Sequence, residues 1–164
     1  MGADEEGKAL ATPEFWNTRY KNSNGSTPTH EWFRSFSALK PFFETHLLTP
    51  TPATTNPRIL HLGSGDSTIP FDLASLGYKP QLCIDFSQIV IDLMKSQTPA
   101  DAGIEWKCAD VRDLRNEIPC AGEFDVAFDK GTLDAMIHGS PWCPPEDVVE
   151  NAKRYLSEVS GMRE

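Results

Sequence analysis

From residue 58 onward, short apolar runs alternate with segments whose apolar residues recur every three or four positions. Residues 58–62 (RILHL) run into Gly63 and predict a strand. Residues 68–76 predict a helix stopped by Gly77. Residues 81–86 (QLCIDF) predict a second strand, and Ser87 caps a helix through Ile89, Val90, Leu93 and Met94. Residues 104–111 and 124–128 (FDVAF) predict the third and fourth strands, and 144–159 a final helix with an acidic head. Strands alternating with helices imply an α/β fold with a parallel sheet and right-handed crossovers. Continuous apolar runs imply that helices cover both sheet faces.

The first third of the chain reads differently. Thr12 followed by Pro13 is a helix start, and Trp16 and Tyr20 then share one face. A second helix is expected from about His30, with Trp32, Phe36, Leu39, Phe43 and Leu47 at helical spacing and Pro41 as a kink or break. Residues 49–57 (TPTPATTNP) hold three prolines and four threonines, which suit an extended linker. The expected organisation is a helical cover over 1–48, a linker over 49–57 and a core over 58–164, forming one domain overall.

Composition narrows the function classes. The chain has 164 residues, 39% of them hydrophobic, with 15 basic and 24 acidic side chains and a net charge of −9. A chain of this size buries ~70% of its unfolded surface and needs no metal or disulfide staple. Its acidity argues against nucleic acid as a partner, because phosphate-backbone binding runs on Lys and Arg. No apolar run approaches the ~20 residues of a membrane helix. Residues 1–8 are acidic and small, unlike a secretory signal, so a cytoplasmic protein is expected. Cys83, Cys108, Cys120 and Cys143 are widely spaced and form no CxxC pair. They read as buried free thiols in a reducing compartment, with no metal site.

The candidate chemistry sits where the first strand meets Gly63-Ser64-Gly65. Two glycines one residue apart permit a sharp turn and close approach of backbone to a ligand. Asp85 ends the second strand, twenty residues beyond Gly65, which is the placement of a carboxylate that binds ribose hydroxyls. A dinucleotide fingerprint would put a third glycine at 68, where this chain has Thr68, so a cofactor with a ribose but no phosphates fits better. Asp110 ends the third strand, where it can accept from an adenine amino group or simply cap its own loop.

Together, 63–65 (GSG), 84–87 (IDFS), 110–112 (DVR) and 124–135 (FDVAFDKGTLDA) resemble the successive motifs of class I S-adenosylmethionine-dependent methyltransferases. Residues 15–20 (FWNTRY) and 30–33 (HEWF) are similar to the branch that includes lysine methyltransferases of translation elongation factor 1-alpha. The resemblance covers about residues 15–159. It implies a Rossmann-like sheet, S-adenosyl-L-methionine as cofactor and a protein lysine as acceptor, with elongation factor 1-alpha as the protein partner.

The resemblance also implies roles. Trp16, Tyr20 and Trp32 belong to a cover over the cofactor, and Gly63 and Gly65 to the turn beneath it. Asp85 and Phe86 contact ribose and adenine, Asp110 and Val111 the adenine edge, and Lys130 the cofactor. Asp129 is a catalytic candidate near the acceptor amine, with a helix cap or surface charge as its alternatives. His61 stands where many class I enzymes carry a carboxylate. The family pattern continues into further strands beyond a helix like 151–159, so a C-terminally truncated sheet is expected. Its fourth strand would be an exposed edge open to self-association. Two rivals to an active methyltransferase are a cofactor-binding module without turnover and an NAD-linked oxidoreductase. Thr68 and the aromatic N-terminal segment speak against the oxidoreductase.

Overall fold

The computed structural model describes residues 3–22, 31–118 and 123–161, with the side chains of residues 3 and 4 left aside. Four parallel strands, β1 (Ile59–Leu62), β2 (Gln81–Asp85), β3 (Ile104–Cys108) and β4 (Val126–Asp129), lie side by side in the order β3-β2-β1-β4. Leu62 pairs with Ile84 on one side and Asp129 on the other, and Asp85 with Cys108, so the carboxyl ends of all four strands are level. The chain adds β2 and β3 on one side of β1 and then β4 on the other. Loops leaving β1 and β4 therefore diverge and open a crevice above the sheet, the usual ligand position in such folds.

Among the described residues, eight α-helices surround the sheet: α1 (Ala3–Leu10), α2 (Pro13–Lys21), α3 (Phe36–Phe43), α4 (Ile69–Ser75), α5 (Gln88–Gln97), α6 (Leu114–Glu117), α7 (Thr132–Ala135) and α8 (Glu146–Ser160). Strand alternation assigns the two faces. Leu60, Leu62 and Ile84 pack with Leu114, Ile118 and Tyr155 on the face covered by α6 and α8. Ile59 points the other way and packs with Phe43, Leu47, Ile69 and Leu73 from α3, its continuation and α4. Farther along that face Cys83 meets Val90, Ile91 and Met94 of α5, with Trp16 and Tyr20 of α2 completing the cluster. Each such Leu or Ile contributes roughly 1.5–3 kcal/mol by leaving water. The N-terminal helices are thus part of the core.

Several local outcomes depart from the pattern in the sequence. The strand expected over 104–111 ends at Cys108, after which the backbone turns at Ala109–Val111 toward the crevice. β3 also alternates, with Ile104 and Trp106 buried and Glu105 and Lys107 exposed, because this edge strand is covered on one face only. Thr12 does not cap α2 with its side chain; its hydroxyl donates to Ala9 O of the preceding helix instead, at 2.7 Å. The second helix starts at Phe36, where Ser35 Oγ accepts from Ala38 N, so Trp32 lies in an irregular strap and not on a helix. His30, the start read from the sequence, lies outside the described residues. Pro41 does not break α3, which widens into a π-helical turn over Glu44–Leu48. The 49–57 segment is not extended throughout: Ala53–Thr55 forms a 3-10 turn, and Thr51 O accepts from the buried Tyr78 hydroxyl. α1 has no counterpart in the sequence reading.

The cysteines do not share one fate. Cys83 is fully buried and burial pushes its thiol pKa well up, whereas Cys143 is exposed on the loop before α8. The expectation of buried thiols thus fails at Cys143, because that loop lies outside the two packed layers; Cys120 lies outside the described residues. Alkylation of the native protein, read by peptide mass spectrometry, is expected to modify Cys143 and spare Cys83 until denaturant is added. Equal labelling of both would contradict this packing.

Candidate functional site

The crevice above β1 and β4 is a pocket whose walls come from every loop at that end of the sheet, with the cover segment on top. Its floor is the turn after β1. Gly63 has φ of +61° and Gly65 φ of +53°, conformations that side chains disfavour. Space is equally restrictive: a Cβ on Gly63 would lie 2.0 Å from Thr132 Oγ1, and one on Gly65 would lie 2.7 Å from the Tyr20 hydroxyl. Thr132 earns its place by donating to Leu62 O at 2.8 Å, which ties β4's following loop to the end of β1.

Asp85 holds this floor to β2. Its Oδ2 accepts from Gly65 N at 3.0 Å and its Oδ1 from Ser87 N at 2.9 Å. Burial pushes its carboxyl up to about 6, against the lowering effect of the two backbone donors, and nearby Asp66 adds to the rise. Each carboxylate oxygen keeps acceptor capacity beyond its one backbone bond. Phe86, next in the chain, packs half-buried against the α2–α5 cluster and lines the pocket.

Trp16, Tyr20 and Trp32 form the aromatic wall. Trp16 and Tyr20 stack with centroids 5.9 Å apart, and Trp16 and Trp32 lie 5.7 Å apart. Trp16 Nε1 donates to Leu10 O at 2.7 Å, so α1 anchors the wall. Burial, with Asp85 and Asp66 nearby, pushes the Tyr20 hydroxyl pKa well up, which keeps it protonated. The Arg19 guanidinium lies 5.8 Å from the Trp16 ring and 5.7 Å from Trp32, so these faces already attract a cation.

The remaining residues are placed less simply. Val111 is buried and lines the pocket. Asp110 also lines it, but Arg112 Nη2 donates to its Oδ2 at 2.6 Å and Arg112 N to its Oδ1 at 2.8 Å. Burial would raise the Asp110 carboxyl, yet these Arg112 contacts outweigh it and hold the carboxyl below its ordinary value. The loop-capping alternative therefore describes this carboxylate directly. Lys130 lines the pocket and donates to Glu31 Oε1 at 2.6 Å and Trp32 O at 2.7 Å.

Asp129 is turned to structural work. Its Oδ1 accepts from Thr132 N at 3.0 Å, and its Oδ2 accepts from Leu133 N at 3.1 Å and the Tyr155 hydroxyl at 2.5 Å. It caps α7 and pins α8, and it does not line the pocket. The helix-cap alternative fits it, and the catalytic reading has no geometric support. His61 is buried and its Nε2 is 2.7 Å from Gln81 Oε1. Gln81 Nε2 donates to Pro70 O and Tyr78 O, which leaves its oxygen facing His61 and makes His61 Nε2 the donor. Burial lowers the His61 pKa to about 4, against the raising effect of Gln81, so the ring is neutral near pH 7.

The sequence reading missed Glu31, Thr132 and Tyr155. Glu31 stands inside the 30–33 motif (HEWF), and that membership was its signal. Only the pairing of β4 beside β1 brings Thr132 under Gly63, although its place in the 124–135 motif was a signal. Among the described residues no group of three His, Cys, Asp or Glu side chains converges as a metal site, and no helix is long and apolar enough to cross a membrane.

The donor set suits a nucleoside carrying a cation and a zwitterionic tail: a buried carboxylate, an aromatic wall and paired charges of both signs. No protein-family model matches the chain. It is 34% identical over 149 residues to the EEF1A lysine methyltransferase 4 of Mus musculus, covering 90% of this chain and 54% of that protein. It is 30% identical over 129 residues to the mitochondrial citrate synthase-lysine N-methyltransferase of Pongo abelii, covering 70% of this chain and 53% of that protein. The EEF1A lysine methyltransferase 2 of Homo sapiens is 26% identical over 161 residues, covering 93% of this chain and 63% of that protein. The chain thus spans little more than half the length of the first two relatives. The likeness to EEF1A lysine methyltransferase 4 runs through nine-tenths of this chain, and the parallel four-stranded sheet is consistent with a Rossmann-like methyltransferase fold.

Proposed function

We propose that this chain, similar to the protein-lysine methyltransferases just described, binds S-adenosyl-L-methionine and acts as a lysine N-methyltransferase. The observation that carries the reading is the buried Asp85 carboxylate hydrogen-bonded to Gly65 N, beside a glycine turn and under an aromatic wall. When bound, S-adenosylmethionine supplies an electrophilic methyl group on a sulfonium sulfur. Asp85 accepts from the ribose hydroxyls while its backbone bonds keep it oriented. Trp16, Tyr20 and Trp32 exclude water and turn polarisable faces toward the cation, which a low-dielectric pocket strengthens. Phe86 and the 109–111 turn border the adenine, with backbone groups of that turn as its polar contacts, because the Asp110 carboxylate is committed to Arg112.

The substrate we infer is a lysine of elongation factor 1-alpha, supported by the names of two relatives and by an acidic chain suited to a basic protein. A cytoplasmic location belongs to the same proposal. Ala127 on β4 is exposed, and β4 pairs only with β1 among the described residues, so this edge is a candidate for self-association.

Isothermal calorimetry with S-adenosylhomocysteine, beside a methyl-transfer assay on elongation factor 1-alpha, tests the reading. Saturable binding with lysine methylation is expected. Binding without product would reduce the chain to a cofactor-binding module, and no binding would end the proposal.

A further inference from the structure

We propose that Glu31 and Lys130 together bind the amino-acid end of the cofactor, with the Glu31 carboxylate taking the α-ammonium and the Lys130 ammonium taking the α-carboxylate. This rests on the cofactor reading above and adds to it the residue that recognises the ammonium. The two side chains sit in the pocket as one charge pair, Nζ to Oε1 at 2.6 Å, only 12% and 18% exposed. A free amino acid is itself such a pair, so opposite charges held side by side are its electrostatic complement.

Both groups are oriented and neither is saturated. Glu31 Oε1 accepts from Lys130 Nζ and from Ser67 Oγ at 3.1 Å. Among the described residues no hydrogen bond is donated to Oε2, which leaves that oxygen as an acceptor. Lys130 uses two of its three N–H groups, on Glu31 Oε1 and Trp32 O. The bonds draw on three segments, the strap before α3, the turn after β1 and the loop after β4, so the pair is fixed by the same loops that wall the pocket.

Two other pocket carboxylates are engaged elsewhere. Asp85 is held by Gly65 N and Ser87 N, and Asp110 by Arg112. Asp66 is buried close enough to Asp85 to raise its carboxyl. On β1 itself the position two before Gly63 carries His61, a neutral ring donating to Gln81. The strand therefore brings no charge to the ammonium, and a residue of the N-terminal strap does so instead.

The test compares three ligands on wild type and Glu31→Gln by calorimetry: S-adenosylhomocysteine, its analogue lacking only the α-amino group, and 5′-methylthioadenosine, which lacks the whole amino-acid end. Glu31→Gln is expected to weaken S-adenosylhomocysteine by about tenfold or more, the scale of a charge-assisted contact, and to change the other two by less than about twofold. Lys130→Met is expected to weaken S-adenosylhomocysteine similarly and to leave 5′-methylthioadenosine unchanged. Equal weakening of all three ligands by Glu31→Gln would make Glu31 a fastener of the strap and overturn the proposal, as would unchanged affinity for S-adenosylhomocysteine. Failure of wild type to bind any of the three would instead remove the cofactor reading beneath it. Thermal unfolding followed in parallel shows whether each variant is folded, and if Glu31→Gln does not fold, Lys130→Met decides.

Discussion

Asp85→Ala is expected to weaken S-adenosylhomocysteine binding by more than tenfold, which is about 1.4 kcal/mol or more from the loss of charge-assisted hydrogen bonds. The variant also strands Gly65 N and Ser87 N, so its thermal unfolding should be followed in parallel. Asp85→Asn keeps an acceptor oxygen for one of them and is expected to lose affinity with less loss of stability. Unchanged affinity in both variants would count against the whole site. The same carboxylate sets a pH dependence. Burial raises it from 3.8 to about 6, so its contribution to apo stability is full below 3.8 and is lost as pH rises through about 6. Affinity moves the other way, because ribose hydroxyls donate best to the ionised form. Binding about tenfold weaker at pH 5 than at pH 7 is expected by calorimetry. His61, lowered to about 4, stays neutral over that range and cannot produce the change. A flat profile in wild type would refute the assignment of Asp85 as the ribose acceptor.

Gly63→Ala is expected to destabilise the fold by about 2–4 kcal/mol, combining a left-handed backbone penalty with overpacking. The new methyl would meet Thr132 Oγ1 at 2.0 Å, Cγ2 at 2.7 Å and Cβ at 2.9 Å, so no rotamer change at Thr132 relieves all three contacts. For a chain of this length the unfolding midpoint should fall by roughly 5–15 °C. Adding Thr132→Ala should recover part of that loss by removing two of the three clashing atoms. The strained φ of +61° and the contact with Thr132 Cβ would keep the remainder. A midpoint for Gly63→Ala equal to wild type would mean that the turn after β1 is not built as described.

The legible parts of the site were those whose chemistry is local. Gly63 and Gly65 announce a turn because glycine alone adopts positive φ cheaply, and Asp85 announces itself by ending a strand one crossover later. Asp110 was half legible: it lies at the carboxyl end of the sheet but two residues past β3, which stops at Cys108, and its partner Arg112 lies in a loop whose conformation the pattern does not encode. Asp129 shows the same limit more sharply. A carboxylate beside a glycine in a motif reads equally as a reactive group or a cap, and only the approach of Tyr155, 26 residues later, makes it a cap and a pin for α8. Trp32 was placed on a helix by its spacing from Phe36. The capping bond from Ser35 instead starts α3 later and frees Trp32 to fold over the pocket.

Period and punctuation along the chain determined the strands, the helices and the glycine turn, since each depends on neighbours within a dozen residues, and their alternation implied the parallel sheet, whose pairings join residues 22 to 67 positions apart. Pro41 stays inside α3 without breaking it, and residues 53–55 turn instead of extending, because tertiary burial of Phe43, Leu47 and Tyr78 outweighs local preference. What only the folded chain decided is which charges meet. Glu31 and Lys130 are 99 positions apart and become one ion pair because β4 lies beside β1 while the strap crosses above both. Electrostatic partners are chosen by distance in space and by exclusion of water, and neither quantity is written in the order of residues.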